Sequence, residues 1–152
     1  KNEEEKTEIE PLKIFGSIKK GEIINSTEIK ISATCTRVPV IDGHTAIVNI
    51  SFKNKIPSMK KFKEILTSYV SLPQILKLPS APQKPIHLIK DIDRPQPKID
   101  INLDKGMALS IGRIEEDTFF DIRFIGLSHN TLRGAAGGAI LNAELLVKEN
   151  FI

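Results

Sequence analysis

The feature that constrains the fold most is a pair of strand-like runs near the end of the chain. MALSIGRI (107–114) and FFDIRFIGLS (119–128) are rich in β-branched and aromatic residues, and the acidic turn EEDT separates them. Runs of this kind around a short polar turn are typical of two paired β-strands. The chain is therefore predicted to contain a sheet that includes this pair.

Three further segments rich in β-branched residues also predict strands: 27–40, 44–53 and 86–90. The first alternates so that one apolar face is shared by Ile29, Ile31, Ala33 and Cys35. The first and second are joined through PVIDG, whose Asp-Gly pair is a turn signal.

Three segments have helical spacing: 2–16, 57–70 and the chain from about Thr131 onward. In the first, Asn2 is the predicted N-cap, with Glu5 three residues later, and Pro11 predicts a kink or break because it cannot donate a backbone hydrogen bond. Proline-rich 72–85 predicts an extended connector. Together these elements predict a single α+β domain over residues 1–152, with a mixed, mostly antiparallel sheet and helices on one face.

Composition narrows the classes of function. The 152 residues are 40% hydrophobic and 27% charged, which suits one globular domain with a buried core. The net charge of +3 is spread along the chain and only 5% of residues are aromatic, so neither a nucleic-acid face nor a membrane span is predicted. No leader is recognisable, and one cysteine without a Cys/His cluster argues against disulfides and zinc. We expect a soluble, cytoplasmic protein.

The stretch CTRVPVIDGH (35–44) contains the main candidates for chemistry. His44 follows a glycine turn at the head of a predicted strand, where an imidazole can move protons; a packed turn histidine is the alternative. Arg37 could reach the same rim and hold a carboxylate by two hydrogen bonds, or make an ordinary salt bridge. Cys35 could be a nucleophile only if its thiol were exposed, and its register predicts a buried core residue instead.

Two other patterns are less specific by themselves. Glu3 and Lys6 share a helix face, which is usually just solvated. HNTLRGAAGGA (129–139) resembles a glycine-rich phosphate loop, but it lacks the Gly-Lys-Ser/Thr of a P-loop. Its small residues predict a helix that packs closely against another structural element.

Four motifs in order, ATCTRVPVIDGHTA, RPQPKID, GMALSIGRI and LSHNTLRGAAGGAILNAELL, resemble the C-terminal part of the aspartate-β-semialdehyde dehydrogenase family, in its archaeal and fungal branch. This resemblance covers essentially the whole chain. It implies the later part of a substrate-binding and dimerisation domain with the α+β fold of the glyceraldehyde-3-phosphate dehydrogenase C-terminal domain. The terminal helix would pack on an N-terminal Rossmann domain that binds NADP and has no counterpart here.

The same resemblance implies an activity and roles for residues. Family members reductively dephosphorylate β-aspartyl phosphate to aspartate semialdehyde through a cysteine thioester, in lysine, threonine and methionine biosynthesis. The matched positions imply His44 as the acid/base catalyst, Arg37 as the clamp on the substrate α-carboxylate, Glu3 as acceptor for its amine, Lys6 as the cation for phosphate and Asn130 as a cofactor contact. The nucleophile, in an Asn-Cys pair, is absent here, so this chain alone is expected to be inactive. A homodimer or homotetramer is implied.

Three alternatives remain at the level of sequence. Malonyl-CoA or succinyl-CoA reductases of the same superfamily share the RPQ and RGAAGG elements and the Arg/His spacing, although TCTRVPVIDGH is closer to the dehydrogenase form. The chain as it stands could be a non-catalytic dimerisation module. A nucleic-acid role rests only on the isoelectric point near 9.0.

Overall fold

The computed structural model describes residues 2–152, which form two compact units divided between Pro39 and Val40. The strands are β1 (Ser17–Lys19), β2 (Glu22–Ile24), β3 (His44–Ile50), β4 (Ile86–Leu88), β5 (Leu109–Glu116) and β6 (Ile122–Ser128). The helices are α1 (Glu3–Ile14), α2 (Met59–Thr67), α3 (Leu72–Ile75), α4 (Pro97–Asp100) and α5 (Gly137–Lys148), with a 3-10 turn at Leu103–Gly106 and a π-helical turn at Leu132–Ala136. The single domain predicted over 1–152 stays a prediction.

The first unit begins with α1, which continues through Pro11. The predicted break is therefore wrong: a proline removes only one backbone donor, and the Phe15 N–H still donates to the Pro11 carbonyl at 3.0 Å. Asn2 occupies the N-cap position but makes no side-chain cap, since its φ of 76° is left-handed rather than extended. Its carbonyl accepts from the Lys6 N–H instead.

A short hairpin of β1 and β2 follows α1, and no pattern in the sequence predicted it. The two strands pair antiparallel, and Lys20 and Gly21 turn between them with φ values of 53° and 82°. Two successive positive φ values are the requirement of a type I′ hairpin turn, and glycine meets it without steric cost. The small size of Gly16 lets β2 approach, because a Cβ there would lie 2.3 Å from the Ile24 carbonyl oxygen.

The strand predicted for 27–40 is absent from the described structure. Residues 29–39 contain no strand, and two of the backbone N–H groups bond to glutamates of α1. The Ala33 N–H donates to Glu8 Oε1 and the Cys35 N–H to Glu4 Oε1, each at 2.8 Å. These carboxylates take the place of a neighbouring strand. Cys35 is exposed, so its predicted burial is wrong.

The second unit is built on a four-stranded sheet in the order β3-β6-β5-β4. The β3/β6 and β5/β6 pairs are antiparallel, whereas β4 pairs parallel with β5. The predicted hairpin is confirmed, with a register shift in β5 between Gly112 and Glu115. The α+β class with a mixed, mostly antiparallel sheet is confirmed.

Helix α2 covers part of one face of the sheet. Ser58 caps it by accepting from the Lys61 N–H at 3.2 Å, and the buried Phe62 ring lies 6.1 Å from Phe124 of β6 and 6.4 Å from Phe52. On the opposite face, Ile47 of β3 is 77% exposed. Aromatic burial therefore fixes α2 against one side and leaves apolar surface on the other.

Helix α5 packs on the chain segment between α3 and β4, as its small residues predicted. Leu141 is buried with Leu78 and Met107. A Cβ at Gly137 would lie 2.5 Å from the Met107 sulfur, so glycine is needed for this approach. Glu144 accepts from both the N–H and the hydroxyl of Ser80. Packing of α5 on a Rossmann domain stays a prediction.

The irregular region between β4 and β5 is held by one buried carboxylate. Asp100 is 2% exposed and accepts hydrogen bonds from the Arg94 guanidinium and, at 2.7 Å, from the Gln96 N–H. The hydrogen bonds from Arg94 lower the pKa of Asp100 below its usual 3.8. Burial acts in the opposite direction, and the hydrogen bond from the Gln96 N–H lowers the pKa further. The segment is thus ordered without regular strands.

Candidate functional site

Glu3 and Arg37 form the first pair of predicted site residues that the structure brings together. Arg37 Nη2 donates to Glu3 Oε1 at 2.6 Å, and the side chains are 84% and 54% exposed. Glu3 stands in the first turn of α1, where the helix dipole favours a carboxylate. An exposed pair of this kind contributes little to stability, so both groups are available to a charged ligand.

The position of Arg37 depends on two neighbours that are not among the predicted site residues. Glu4 and Glu8 lie one helical turn apart on α1 and accept from alternate backbone N–H groups, Cys35 and Ala33. Together with the Glu3 pair, these bonds fasten residues 33, 35 and 37 along the helix. An i, i+4 spacing of glutamates opposite an extended segment is the signal that could have revealed them.

Lys6 lies one turn after Glu3 on the same helix and is exposed. Among residues 2–152, no acidic side chain forms an ion pair with it, so its ammonium group can meet an anion from solution. Lysine binds phosphate as a compact point charge, which suits this position.

His44 and Asn130 are the second pair brought together, through the backbone of Gly43. His44 is the first residue of β3, is exposed and pairs with Ser128 of β6. The Gly43 N–H donates to Asn130 Oδ1 at 2.9 Å, across 87 residues of sequence. Because the oxygen of the Asn130 amide is used in this bond, its NH₂ group points elsewhere and can donate to another acceptor.

His129, which is not among the predicted site residues, caps the start of the terminal helical segment. Its ring is 6% exposed, and Nδ1 accepts from the N–H groups of Thr131 and Leu132, each at 3.3 Å. An Nδ1 that accepts leaves the proton on Nε2, so the ring is held in one tautomer. The signal in the sequence is its place just before a predicted helix.

Arg37 belongs to the first compact unit and His44 to the second, and their meeting at one rim stays a prediction. A hollow of about 310 Å³ in the second unit lies between the start of α2 and the turn after β5, and no predicted site residue lines it. Within residues 2–152, no group of three or more His, Cys, Asp or Glu side chains is placed to hold a metal. None of the helices in that range is long and apolar enough to cross a bilayer.

Relatives of known name match the whole chain. The aspartate-semialdehyde dehydrogenase of Schizosaccharomyces pombe is 46% identical over 155 residues, which cover 99% of this chain and 43% of the relative. The enzyme of that name from Archaeoglobus fulgidus is 45% identical over 152 residues, covering 100% and 43%. The crystal structure of the Candida albicans aspartate semialdehyde dehydrogenase with NADP superposes with a TM-score of 0.91 at 42% identity, covering 99% and 44%.

The chain therefore spans about two fifths of the length of these relatives. A family model described as semialdehyde dehydrogenase, dimerisation domain, matches residues 1–133. That range includes every residue singled out above except the packing residues of α5. The chain belongs to the semialdehyde dehydrogenase dimerisation-domain family.

Proposed function

We propose that this chain is the substrate-binding and dimerisation portion of an NADP-dependent aspartate-semialdehyde dehydrogenase. The observation that carries the proposal is the Glu3–Arg37 pair, which sets a carboxylate and a guanidinium 2.6 Å apart. Relatives of that name match the chain along its whole length. The reaction would convert β-aspartyl phosphate to aspartate semialdehyde and phosphate through a thioester on a cysteine outside this chain.

The Glu3–Arg37 pair is complementary to the α-amino acid end of the substrate. A guanidinium offers a planar fork of donors to the α-carboxylate, and a carboxylate accepts from the α-ammonium group. Malonyl-CoA and succinyl-CoA carry a free carboxylate but no α-ammonium group, so neither offers Glu3 a cation in exchange for Arg37. The pair therefore favours the aspartate substrate over the acyl-CoA alternative.

The remaining groups have separate tasks in the proposed reaction. Lys6 supplies a cation for the phosphate, and His44 moves a proton to or from the reacting oxygen. Asn130 fits a cofactor contact because its NH₂ is left as a donor while its oxygen is held by Gly43. NADP would supply hydride chemistry when bound.

Further parts of the proposal concern the whole protein. The product would serve lysine, threonine and methionine biosynthesis in the cytoplasm. The family description supports association of two copies, and we propose a homodimer or homotetramer. This chain alone would be inactive, since its single cysteine is not the expected nucleophile.

The test is turnover by the full-length protein that carries this chain. Reduction of NADP in the presence of aspartate semialdehyde and phosphate is expected, with no turnover of malonyl-CoA or succinyl-CoA. Turnover of an acyl-CoA in place of aspartate semialdehyde would overturn the proposed substrate. Activity of residues 1–152 alone would show that the nucleophile lies within this chain.

A further inference from the structure

We propose that Asn130 is a positioning residue for His44, acting through the Gly43 N–H, in addition to any contact it makes with the cofactor. The inference rests on the proposed function, because it assigns Asn130 a second role in the same reaction. It follows from one long-range hydrogen bond and from the steric limits on the residue that donates it.

The hydrogen bond joins two segments that carry the chemistry. Gly43 directly precedes His44, and its N–H donates to Asn130 Oδ1 at 2.9 Å. Asn130 lies two residues after Ser128, the β6 partner of His44. The end of β6 therefore holds the start of β3 twice, once through the strand ladder and once through the Asn130 side chain.

Position 43 requires a glycine, and a glycine backbone is held only by the contacts that it makes. Its φ is +110°, a region that L side chains rarely adopt. A Cβ there would lie 2.9 Å from Ile101 Cδ1 and 3.1 Å from Leu127 Cδ1, so the backbone passes close to packed side chains. With no Cβ of its own to restrict it, the Gly43 backbone depends on the Asn130 Oδ1 acceptor for its orientation.

Asn130 is itself held from the other side. The preceding residue, His129, is buried, and its ring caps the helical turn that starts at Leu132. The His129 carbonyl also accepts from the Gly134 N–H at 2.9 Å. A side chain set between two fixed backbone segments can orient the imidazole on the exposed His44, because little freedom remains between Asn130 and the Cα of His44.

The experiment separates the two roles of Asn130 in the full-length protein. Asn130→Asp keeps an acceptor oxygen for Gly43 but loses the NH₂ donor, whereas Asn130→Ala loses both. Both variants are expected to raise the KM for NADP. Only Asn130→Ala is expected to lower kcat further, by about tenfold relative to Asn130→Asp, since only it frees the His44 turn.

A readout independent of activity accompanies the kinetics. Amide hydrogen exchange of a peptide covering residues 40–50 is expected to be faster in Asn130→Ala than in Asn130→Asp or the unsubstituted protein. Ser80→Ala serves as a matched control, because it removes one hydrogen bond to α5 in the same unit and should leave kcat within twofold.

Equal kcat values for the two Asn130 variants, or equal exchange of residues 40–50, would overturn the positioning role. Failure of the unsubstituted protein to use aspartate semialdehyde would instead overturn the proposed function. The exchange comparison would still decide whether Asn130 holds the His44 turn.

Discussion

The surroundings of Arg37 indicate its role more clearly than its residue type does. Its guanidinium is largely exposed and meets one carboxylate, Glu3, in a geometry that a zwitterionic ligand can use. The sequence predicted the candidate and left a plain salt bridge as the alternative. The salt bridge is present, and its partner is the residue expected to accept the substrate amine.

Replacing Arg37 by lysine should weaken substrate binding more than chemistry. Lysine keeps the charge but loses the planar fork, so Arg37→Lys is expected to raise the KM for aspartate semialdehyde by roughly 10-fold or more with a smaller change in kcat. Steady-state kinetics of the full-length protein measure both. Cys35→Ser is the control: its thiol takes no part in the proposed reaction, so both constants should stay unchanged. A fall in kcat with KM unaltered in Arg37→Lys would contradict a binding role.

His44→Ala should act on the chemical step. Loss of a positioned acid/base group is expected to lower kcat by roughly 100-fold or more. The change lies on an exposed residue at the start of β3, so thermal unfolding should be nearly unaltered. An unchanged kcat in a folded His44→Ala protein would remove the assignment.

At the scale of elements, the sequence predicted the helices and strands that depend on local pattern. It did not predict the conformation of segments that bond to residues distant in the sequence. The β5/β6 hairpin, α2 and the terminal helix follow from periodicity and turn chemistry, and all are present. The alternation over 29–35 is equally strand-like, yet no described strand pairs with it. Glutamates 25 and 31 residues away in the sequence accept from its backbone N–H groups, and no local pattern reports such contacts.

The glycines of the terminal helix offer a test of close packing. Gly137→Val is expected to destabilise the protein by about 1–3 kcal/mol, because a Cβ would meet the Met107 sulfur at 2.5 Å and the Leu132 carbonyl oxygen at 2.9 Å. Gly126→Ala is the matched control, since a Cβ there has no contact closer than 4.0 Å. Urea unfolding of both variants measures the difference. Equal midpoints would show that α5 does not depend on this approach.

Asp100 gives the region between β4 and β5 a defined dependence on pH. Its pKa is lowered in the folded state, so its stabilising contribution is complete above the unfolded value of 3.8 and is lost as pH falls through the folded pKa. Asp100→Asn is expected to cost about 2 kcal/mol at neutral pH, and this difference should shrink below about pH 3.8. Urea midpoints at pH 6, 4 and 3 test this. A difference that is constant down to pH 3 would contradict it.

At the scale of the whole molecule, the four-stranded sheet leaves Ile47 exposed on one face. The family description supports burial of surface between two copies. We expect sedimentation of the full-length protein to show a dimer or tetramer, because an exposed apolar residue in mid-strand gains most from a covering partner. A clean monomer at micromolar concentration would contradict the proposed assembly. The sequence predicted this class of fold from runs of strands with helices between them and at the end, whereas the exposed face required coordinates.

The Glu3–Arg37 pair has a consequence for how the amino acid binds. With no ligand present the two side chains neutralise each other, and an α-amino acid headgroup is neutral in the same way. Binding is then an exchange, in which one intramolecular ion pair is replaced by two intermolecular ones and the net charge of the surface does not change. Ionic strength weakens the pair that is broken along with the pairs that form. The affinity for the amino acid end should therefore be less sensitive to salt than the affinity for phosphate at Lys6, which has no ion-pair partner among the described residues.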